Sequence, residues 1–165
     1  MRRFGLVTAM VFMAAPVAAA QTKISGTEQC GKAETQHVIQ VGDSPGHAMS
    51  IAQWKCTWPK PLEIEGVQIK QSIITGYYDV RGDSARSRGY DIGTMSNGDR
   101  ADVRYESTAR FEQGTWRGER GTWTLVGGTG KMRGMRGKGT YECKPADEGL
   151  SCAIEGEYTP PKNDK

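Results

Sequence analysis

The feature that most constrains this chain is an alternation of side chains with a period of two residues. Between Arg100 and Phe111, one face of the predicted strand carries the mainly apolar set Val103, Tyr105, Ser107, Ala109 and Phe111. The opposite face carries charged and polar side chains. Because successive residues of a strand point to opposite faces, the pattern predicts a half-buried antiparallel strand. No helical apolar period follows residue 20, so we expect little helix.

Similar patterns predict about eight strands, in the segments Thr35–Val41, His47–Trp58, Val67–Val80, Ser87–Met95, Arg100–Phe111, Thr115–Val126, Met132–Cys143 and Leu150–Thr159. Turn signals separate them: Asn97-Gly98 favours a hairpin, and the glycines between Gly127 and Gly130 favour a tight reversal. Short, evenly spaced strands predict an all-β fold, either a closed antiparallel barrel or a sandwich.

The amino terminus has the three parts of an export signal. Arg2 and Arg3 precede an uncharged apolar run, and Ala18-Ala19-Ala20 matches the cleavage pattern, so we predict a signal peptide over residues 1–20. A membrane anchor is the alternative, but Pro16 breaks a run that is already shorter than the roughly 20 residues a span requires. The sequence therefore predicts a periplasmic or secreted protein with no membrane span.

Cleavage leaves one domain of nearly neutral charge. We expect a single barrel domain over residues 21–159 and a disordered, proline-led tail over residues 160–165. The signal removes two arginines and no acid, so the formal net charge falls from +3 to +1. Bulk charge therefore favours no nucleic-acid partner, and it leaves the oligomeric state open.

Four cysteines remain after cleavage: Cys30, Cys56, Cys143 and Cys152. An even number in an exported chain predicts two disulfides, and of the three possible pairings we favour Cys30–Cys56 with Cys143–Cys152. A metal site is the alternative. Because the chain has no C-x-x-C motif and its two histidines are distant from the cysteines in sequence, we predict no metal site and no cofactor.

A glycine-rich segment carries a family resemblance. Residues 121–141 read GTWTLVGGTGKMRGMRGKGTY, with matching positions at Gly127, Gly128, Gly130, Lys131, Gly134, Gly137, Gly139 and Tyr141. This segment resembles the signature hairpin of the allene oxide cyclase and dirigent-like barrels, of which the chain would be a bacterial, exported member. Met132 stands where an aromatic residue is usual. The resemblance implies a calycin-like barrel of about eight strands with an apolar lumen open at one end.

The family's chemistry is not carried over, because no residues match the acidic, aromatic or asparagine groups of its plant enzymes. In a barrel the inward face is also the pocket wall, so we take Trp54, Tyr77 and Tyr105 as candidate lumen-lining residues. In the strand at 67–80, alternation groups Tyr77 with Val67, Ile69 and Ile73. No catalytic residue is identified from the sequence.

Other motifs in the sequence give weaker indications of function. The segment 42–46 has the letters G-x-S-x-G, but Pro45 lacks the backbone N–H that a nucleophile elbow needs. Two alternatives stay open: His37 and His47 as an acid–base pair, and the basic residues of 131–138 as a docking site for an anionic partner.

We therefore expect an exported barrel that binds a small apolar or amphipathic molecule in its lumen. One alternative is a cyclase or isomerase that uses Tyr or His of the same lumen as its acid–base group. Another is a filled barrel that acts through its outer surface, as secreted inhibitor proteins do.

Overall fold

The computed structural model describes residues 21–161. The predicted signal peptide and residues 162–165 of the predicted tail lie outside this range. The strands within it are β1 (Thr22–Cys30), β2 (Thr35–Gln40), β3 (His47–Lys60), β4 (Glu63–Ile64), β5 (Val67–Arg81), β6 (Ser84–Met95), β7 (Arg100–Glu112), β8 (Thr115–Gly128), β9 (Arg136–Ala146) and β10 (Gly149–Thr159). In the described residues one short 3₁₀ helix, Gly130–Met132, is the only helical element, as the alternation predicted.

Eight of these strands close into an antiparallel barrel. Neighbours follow the order β3, β1, β10, β9, β8, β7, β6, β5, and β5 pairs with β3 to complete the circle. The all-β, eight-stranded antiparallel barrel predicted from the sequence is therefore confirmed. Closure pairs the backbone groups along each barrel strand, so few strand edges are left open.

The strand that completes the barrel is β1, which the sequence analysis missed. The segment Thr35–Val41 was predicted as one of about eight strands, but the corresponding strand, β2, lies outside the closed ring. Both β1 and β2 pair with the same edge of β3: β1 with its Cys56–Lys60 half and β2 with its Ala48–Gln53 half. Only β1 also pairs with β10. Strand β2 is exposed along its whole length, and Ile39 retains 70% of its accessible surface.

The two predicted turns differ in outcome. The hairpin at Asn97-Gly98 is confirmed: it joins β6 to β7, and Gly98 has a φ of 86°. The tight reversal at 127–130 is wrong, because the connection from β8 to β9 runs through the 3₁₀ helix and reaches β9 only at Arg136. Met132, predicted to begin a strand, belongs to this 3₁₀ helix and is fully buried.

Two disulfides staple the barrel wall. The bonds are Cys30–Cys56 and Cys143–Cys152, with Cα atoms 4.1 and 4.0 Å apart. Each joins residues that already face each other, β1 to β3 and β9 to β10. The favoured pairing is therefore confirmed. Disulfides of this kind are typical of proteins that fold outside a reducing cytosol. None of the helices in 21–161 is long and apolar enough to cross a membrane.

The glycines of the G-K-G-T-Y segment make room for an indole ring. Gly139 of β9 pairs with Gly156 of β10, and Trp123 of β8 lies against both. A Cβ atom at Gly139 would lie 2.6 Å from Trp123 Nε1, and one at Gly156 would lie 2.3 Å from Trp123 Cζ2. The indole N–H donates to the carbonyl of Glu155 at 3.1 Å. These glycines are therefore required by packing inside the barrel.

Candidate functional site

The barrel encloses a mainly apolar cavity of about 110 Å³. One water molecule needs roughly 10–15 Å³ on the same measure, so the cavity accepts a molecule on the order of ten non-hydrogen atoms. Its wall includes Trp54, Trp58 and Trp123, together with Leu125 and Ile154. A closed apolar pocket with a few polar groups is the usual form of a small-molecule site.

One end of this lumen is closed by apolar side chains, which we call the floor. Met132 is 0% exposed and Met95 is 1% exposed, and both belong to the same buried cluster as Leu62 and Ile64 from the segment around β4. Towards the opposite end, lining residues such as Trp54 are only half-buried.

Two of the three predicted lining residues face the lumen. Trp54 and Tyr105 lie on the cavity wall. Tyr77 lies on the outer face of the barrel, where the Arg88 guanidinium stacks 5.5 Å from its ring centre. Its neighbour Tyr78 lines the cavity instead.

A β-bulge causes this error. The pairing of β5 with β6 shifts between Ile69 and Gln71, and the extra residue reverses which side chains of β5 face inward beyond that point. Ile69 is buried, whereas Ile73 is 40% exposed. Strict alternation through the bulge therefore assigned Tyr77 to the wrong face.

The polar part of the lumen contains a pair of carboxyl groups, the buried Glu28 on β1 and the half-buried Asp91 on β6, whose Oδ1 is itself buried. Burial raises the pKa of both groups, to about 7 for Asp91, and the charge of Asp91 raises the pKa of Glu28 further. The Ser72 hydroxyl opposes both shifts through side-chain hydrogen bonds. This hydroxyl also accepts a hydrogen bond from Trp58 Nε1 at 2.9 Å.

Each of these carboxyl groups keeps one oxygen free. Within residues 21–161, Glu28 Oε1 and Asp91 Oδ1 are buried without a hydrogen-bond partner, and so is the Tyr105 hydroxyl. Glu28 is 2% exposed and Tyr105 is 7% exposed. The pKa of Tyr105 is raised by burial and by the charges of Glu119, Asp91 and Glu28, and the neighbouring Tyr78 hydroxyl opposes this rise. Because unpartnered buried polar atoms are rare and costly, these three oxygens mark the point where the lumen can recognise a polar group.

A third lumen carboxylate, Glu119 on β8, has three hydrogen-bond donors on one of its oxygens. Its Oε1 accepts hydrogen bonds from the hydroxyls of Ser107 at 2.6 Å, Tyr141 at 2.7 Å and Ser87 at 3.3 Å. Burial and the charge of Glu119 raise the pKa of Tyr141 and of Tyr78, so both tyrosines stay protonated. This cluster, the Glu119 network, needs no ligand to complete its hydrogen bonds.

The two histidines do not line the lumen, and they do not form the acid–base pair that the sequence left open. His37 is exposed on β2. His47, at the start of β3, is buried between two carboxylates: one ring nitrogen bonds Asp43, and Nε2 lies 3.0 Å from Asp79 Oδ1. No histidine of the described chain lines the cavity. The arrangement ties the 42–46 loop to β5, and the ionisable groups of the described chain that line the lumen are carboxyls and tyrosines.

Two other sequence features fall outside the lumen. The basic residues Lys131, Arg133, Arg136 and Lys138 are all exposed, and Lys138 lies 3.5 Å from Glu157. Glu28 comes close to the sulfurs of Cys30 and Cys56, but these are bonded to each other, so the cluster offers no thiolate to a metal ion.

The carboxyl pair was missed by the sequence analysis. Glu28 belongs to the unrecognised strand β1. Asp91 belongs to a predicted strand, and its alternation carried a signal, because it shares a face with Ser87, Gly89 and Gly93, which are small and uncharged. An acid in that row indicates an inward-facing charge.

No family model matches the sequence. No curated protein matches it either. Among solved structures, the chain is similar to a pterocarpan synthase dirigent protein, with 14% sequence identity and a TM-score of 0.49. The alignment covers 94% of this chain and 100% of that chain. At this level of similarity, nothing about ligand or activity follows for this chain.

Proposed function

We propose that the protein binds a small amphipathic molecule in its lumen, with the apolar body against the aromatic wall and the polar end at Glu28 and Asp91. The observation that carries this proposal is the coexistence of an apolar cavity with three unpartnered buried oxygens in its wall. A lumen that served only as a core would have no reason to bury such groups, since apolar side chains of the same shape would stabilise it more.

The filled-barrel alternative is less well supported. It requires aromatic side chains to occupy the lumen. Trp58 and Trp123 are buried against the floor cluster, yet a cavity that they help to line remains beside them.

The proposal is tested with an uncharged apolar probe, ethylbenzene, by titrating tryptophan fluorescence. Three tryptophans line the cavity, so occupancy will change their emission. We expect saturable binding that is weakened at least tenfold by Ala101→Phe, which fills the lumen from a buried lining position. Tyr77→Ala and Tyr78→Ala form a matched pair on opposite faces of β5: only Tyr78→Ala should change the affinity. Absence of saturable binding, or equal effects of the two tyrosine variants, would contradict the proposal.

A second candidate function is catalysis of a cyclase or isomerase type in the same lumen. It is favoured by one observation: the pKa of Asp91 is raised to about 7, where a carboxyl group can both donate and accept a proton at neutral pH. The acid–base group would then be this carboxyl pair, not the tyrosine or histidine expected from the sequence. A bell-shaped pH–rate profile that Asp91→Asn abolishes would support it. An unchanged profile would exclude Asp91 from the reaction.

We also propose that the chain is exported to the periplasm or secreted, as a member of the allene oxide cyclase and dirigent-like barrels. The support is the amino-terminal pattern, the two disulfides and the segment at 121–141. Expression of the full chain in a bacterial host should yield a protein that begins at Gln21, which intact-mass analysis will detect. A recovered protein that retains Arg2 and Arg3 would contradict cleavage.

A further inference from the structure

The unpartnered oxygens of the lumen have a shared chemical character. Glu28 Oε1 and Asp91 Oδ1 are acceptors once the carboxyls are ionised, and the Tyr105 hydroxyl can also accept. All three belong to residues that line the same cavity. The charges of Glu28 and Asp91 both act on Tyr105, which puts the three groups in one electrostatic neighbourhood. A ligand group that satisfies them must therefore supply several hydrogen-bond donors.

The lining is also unbalanced in charge. It includes three acidic residues, Glu28, Asp91 and Glu119, and no lysine, arginine or histidine from the described chain. Tyrosines line the same cavity, and the face of a tyrosine ring is electron-rich and attracts cations. In most proteins a buried carboxylate is paired with a cation, because an isolated one is costly to bury. Here no lining residue of the 21–161 range supplies such a cation.

From these two observations we infer that the lumen selects amphipathic amines, whose ammonium group lies between Glu28 and Asp91 and within reach of the Tyr105 hydroxyl. The inference rests on the proposed function and narrows its ligand class. An ammonium has three donors and no acceptor, which matches three unpartnered acceptor oxygens. Its charge also offsets the repulsion that raises the pKa of Glu28 beside Asp91.

Other head groups fit the same cavity less well. An alcohol carries one donor, so it leaves at least one buried carboxylate oxygen unpartnered. A carboxylate adds a further negative charge to an acidic lining that has no cation to receive it. The expected order of affinity for molecules with the same apolar body is therefore amine, alcohol, carboxylate.

The experiment compares phenethylamine, phenethyl alcohol and phenylacetate on the protein at neutral pH, by calorimetry and tryptophan fluorescence. These probes share a phenyl body of a size that the cavity accepts and differ in the polar end. We expect phenethylamine to bind at least tenfold more tightly than phenethyl alcohol, and phenylacetate to bind most weakly. Equal affinity for amine and alcohol, or tighter binding of phenylacetate, overturns the inference.

Charge-removing variants locate the recognition site. Glu28→Gln and Asp91→Asn keep the shape of the side chain and remove its charge, so each should reduce the affinity for phenethylamine about tenfold and leave that for phenethyl alcohol within twofold. Glu106→Gln is the matched control, because Glu106 adjoins Tyr105 in sequence and is exposed on the outer face. A loss of amine binding in Glu106→Gln equal to that in Asp91→Asn would overturn the inference, since it would indicate attraction by overall charge.

The outcomes separate the inference from the proposed function. If ethylbenzene and phenethyl alcohol bind but phenethylamine gains nothing, the lumen binds ligands and the amine preference is wrong. If neither ethylbenzene nor any of the three probes binds, the proposed function and the inference are both overturned. Near-ultraviolet circular dichroism of each variant shows whether its aromatic packing is retained, so an unfolded variant is recognised and replaced by Glu28→Asn or Asp91→Ser.

Discussion

The lumen contains two acidic regions that differ in their hydrogen bonding. In the Glu119 network, one carboxylate oxygen accepts hydrogen bonds from three hydroxyl groups. In the Glu28–Asp91 pair, each carboxyl group keeps a buried oxygen without a partner in the described chain. Both regions line the same cavity, so burial alone does not separate them. The difference is that folding completes the first region and leaves the second incomplete.

This contrast distinguishes a structural carboxylate from an available one. The hydroxyl donors around Glu119 compensate for its lost hydration, so the network holds β7, β8 and β9 together. The Glu28–Asp91 pair has only the Ser72 hydroxyl to offset its burial, and the pKa of both carboxyl groups is therefore raised. Because these carboxyl groups destabilise the free protein, a ligand that supplies their missing partners would stabilise it.

The largest expected effect tests the Glu119 network. Glu119→Ala removes the acceptor that three hydroxyl groups share, and it leaves Ser87 and Ser107 bonded only to each other. It should lower the free energy of unfolding by about 3 kcal/mol. Glu28→Gln should cost far less, because no hydrogen bond depends on Glu28 Oε1. Urea denaturation of both variants measures the difference. Equal losses in the two variants would remove the distinction between the regions.

The next effect concerns pH. Asp91 has a pKa raised to about 7, whereas an unfolded aspartate has a pKa of about 4. Both states hold the proton below pH 4, but between about pH 4 and about pH 7 only the unfolded chain ionises freely. The stability that this group contributes is therefore present at low pH and is lost as the pH rises through about 7.

Asp91→Asn removes this penalty. We expect the variant to exceed the natural protein in stability by about 2 kcal/mol at pH 8, with a smaller slope of stability against pH between 4 and 7. Thermal or urea unfolding at a series of pH values measures the slope. Glu106→Gln, on the outer face, should keep the slope of the natural protein. An unchanged slope in Asp91→Asn would contradict the raised pKa.

The smallest effect compares two tyrosine hydroxyls. The Tyr141 hydroxyl donates to Glu119 at 2.7 Å, so Tyr141→Phe should cost about 1 kcal/mol of stability. The Tyr105 hydroxyl has no partner in the described chain, so Tyr105→Phe should change stability by less than about 0.5 kcal/mol while weakening the binding of phenethylamine. A larger loss of stability in Tyr105→Phe than in Tyr141→Phe would contradict the difference in hydrogen bonding between the two regions.

Much of the barrel could be predicted from the sequence, because a strand buried on one face alternates apolar and polar residues with a period of two. This alternation identified seven of the eight barrel strands and placed Trp54 and Tyr105 on the lumen wall. It failed at Tyr77, because the bulge between Ile69 and Gln71 inserts one residue and inverts the alternation beyond it. The insertion depends on the partner strand and leaves no mark in the local pattern.

The site itself was harder to predict for a different reason. Strand β1 reads TKISGTEQC, and its inward face holds Ile24, Gly26, Glu28 and Cys30. A glycine and a carboxylate interrupt that face, so the segment lacks the continuous apolar alternation of the other strands. The edge strand β2 has the opposite character: its apolar residues suggest burial, yet Val38 and Ile39 are exposed. A functional lumen puts charges where a core would have apolar residues, so the rule that finds cores overlooks it.

The most direct test of the account is a crystal structure of the protein with phenethylamine bound. The account predicts the phenyl ring within the apolar lumen and the ammonium nitrogen within about 3 Å of Glu28 Oε1 and Asp91 Oδ1. It would be contradicted by a probe bound only on the outer surface, or by a probe in the lumen whose nitrogen points away from both carboxyl groups.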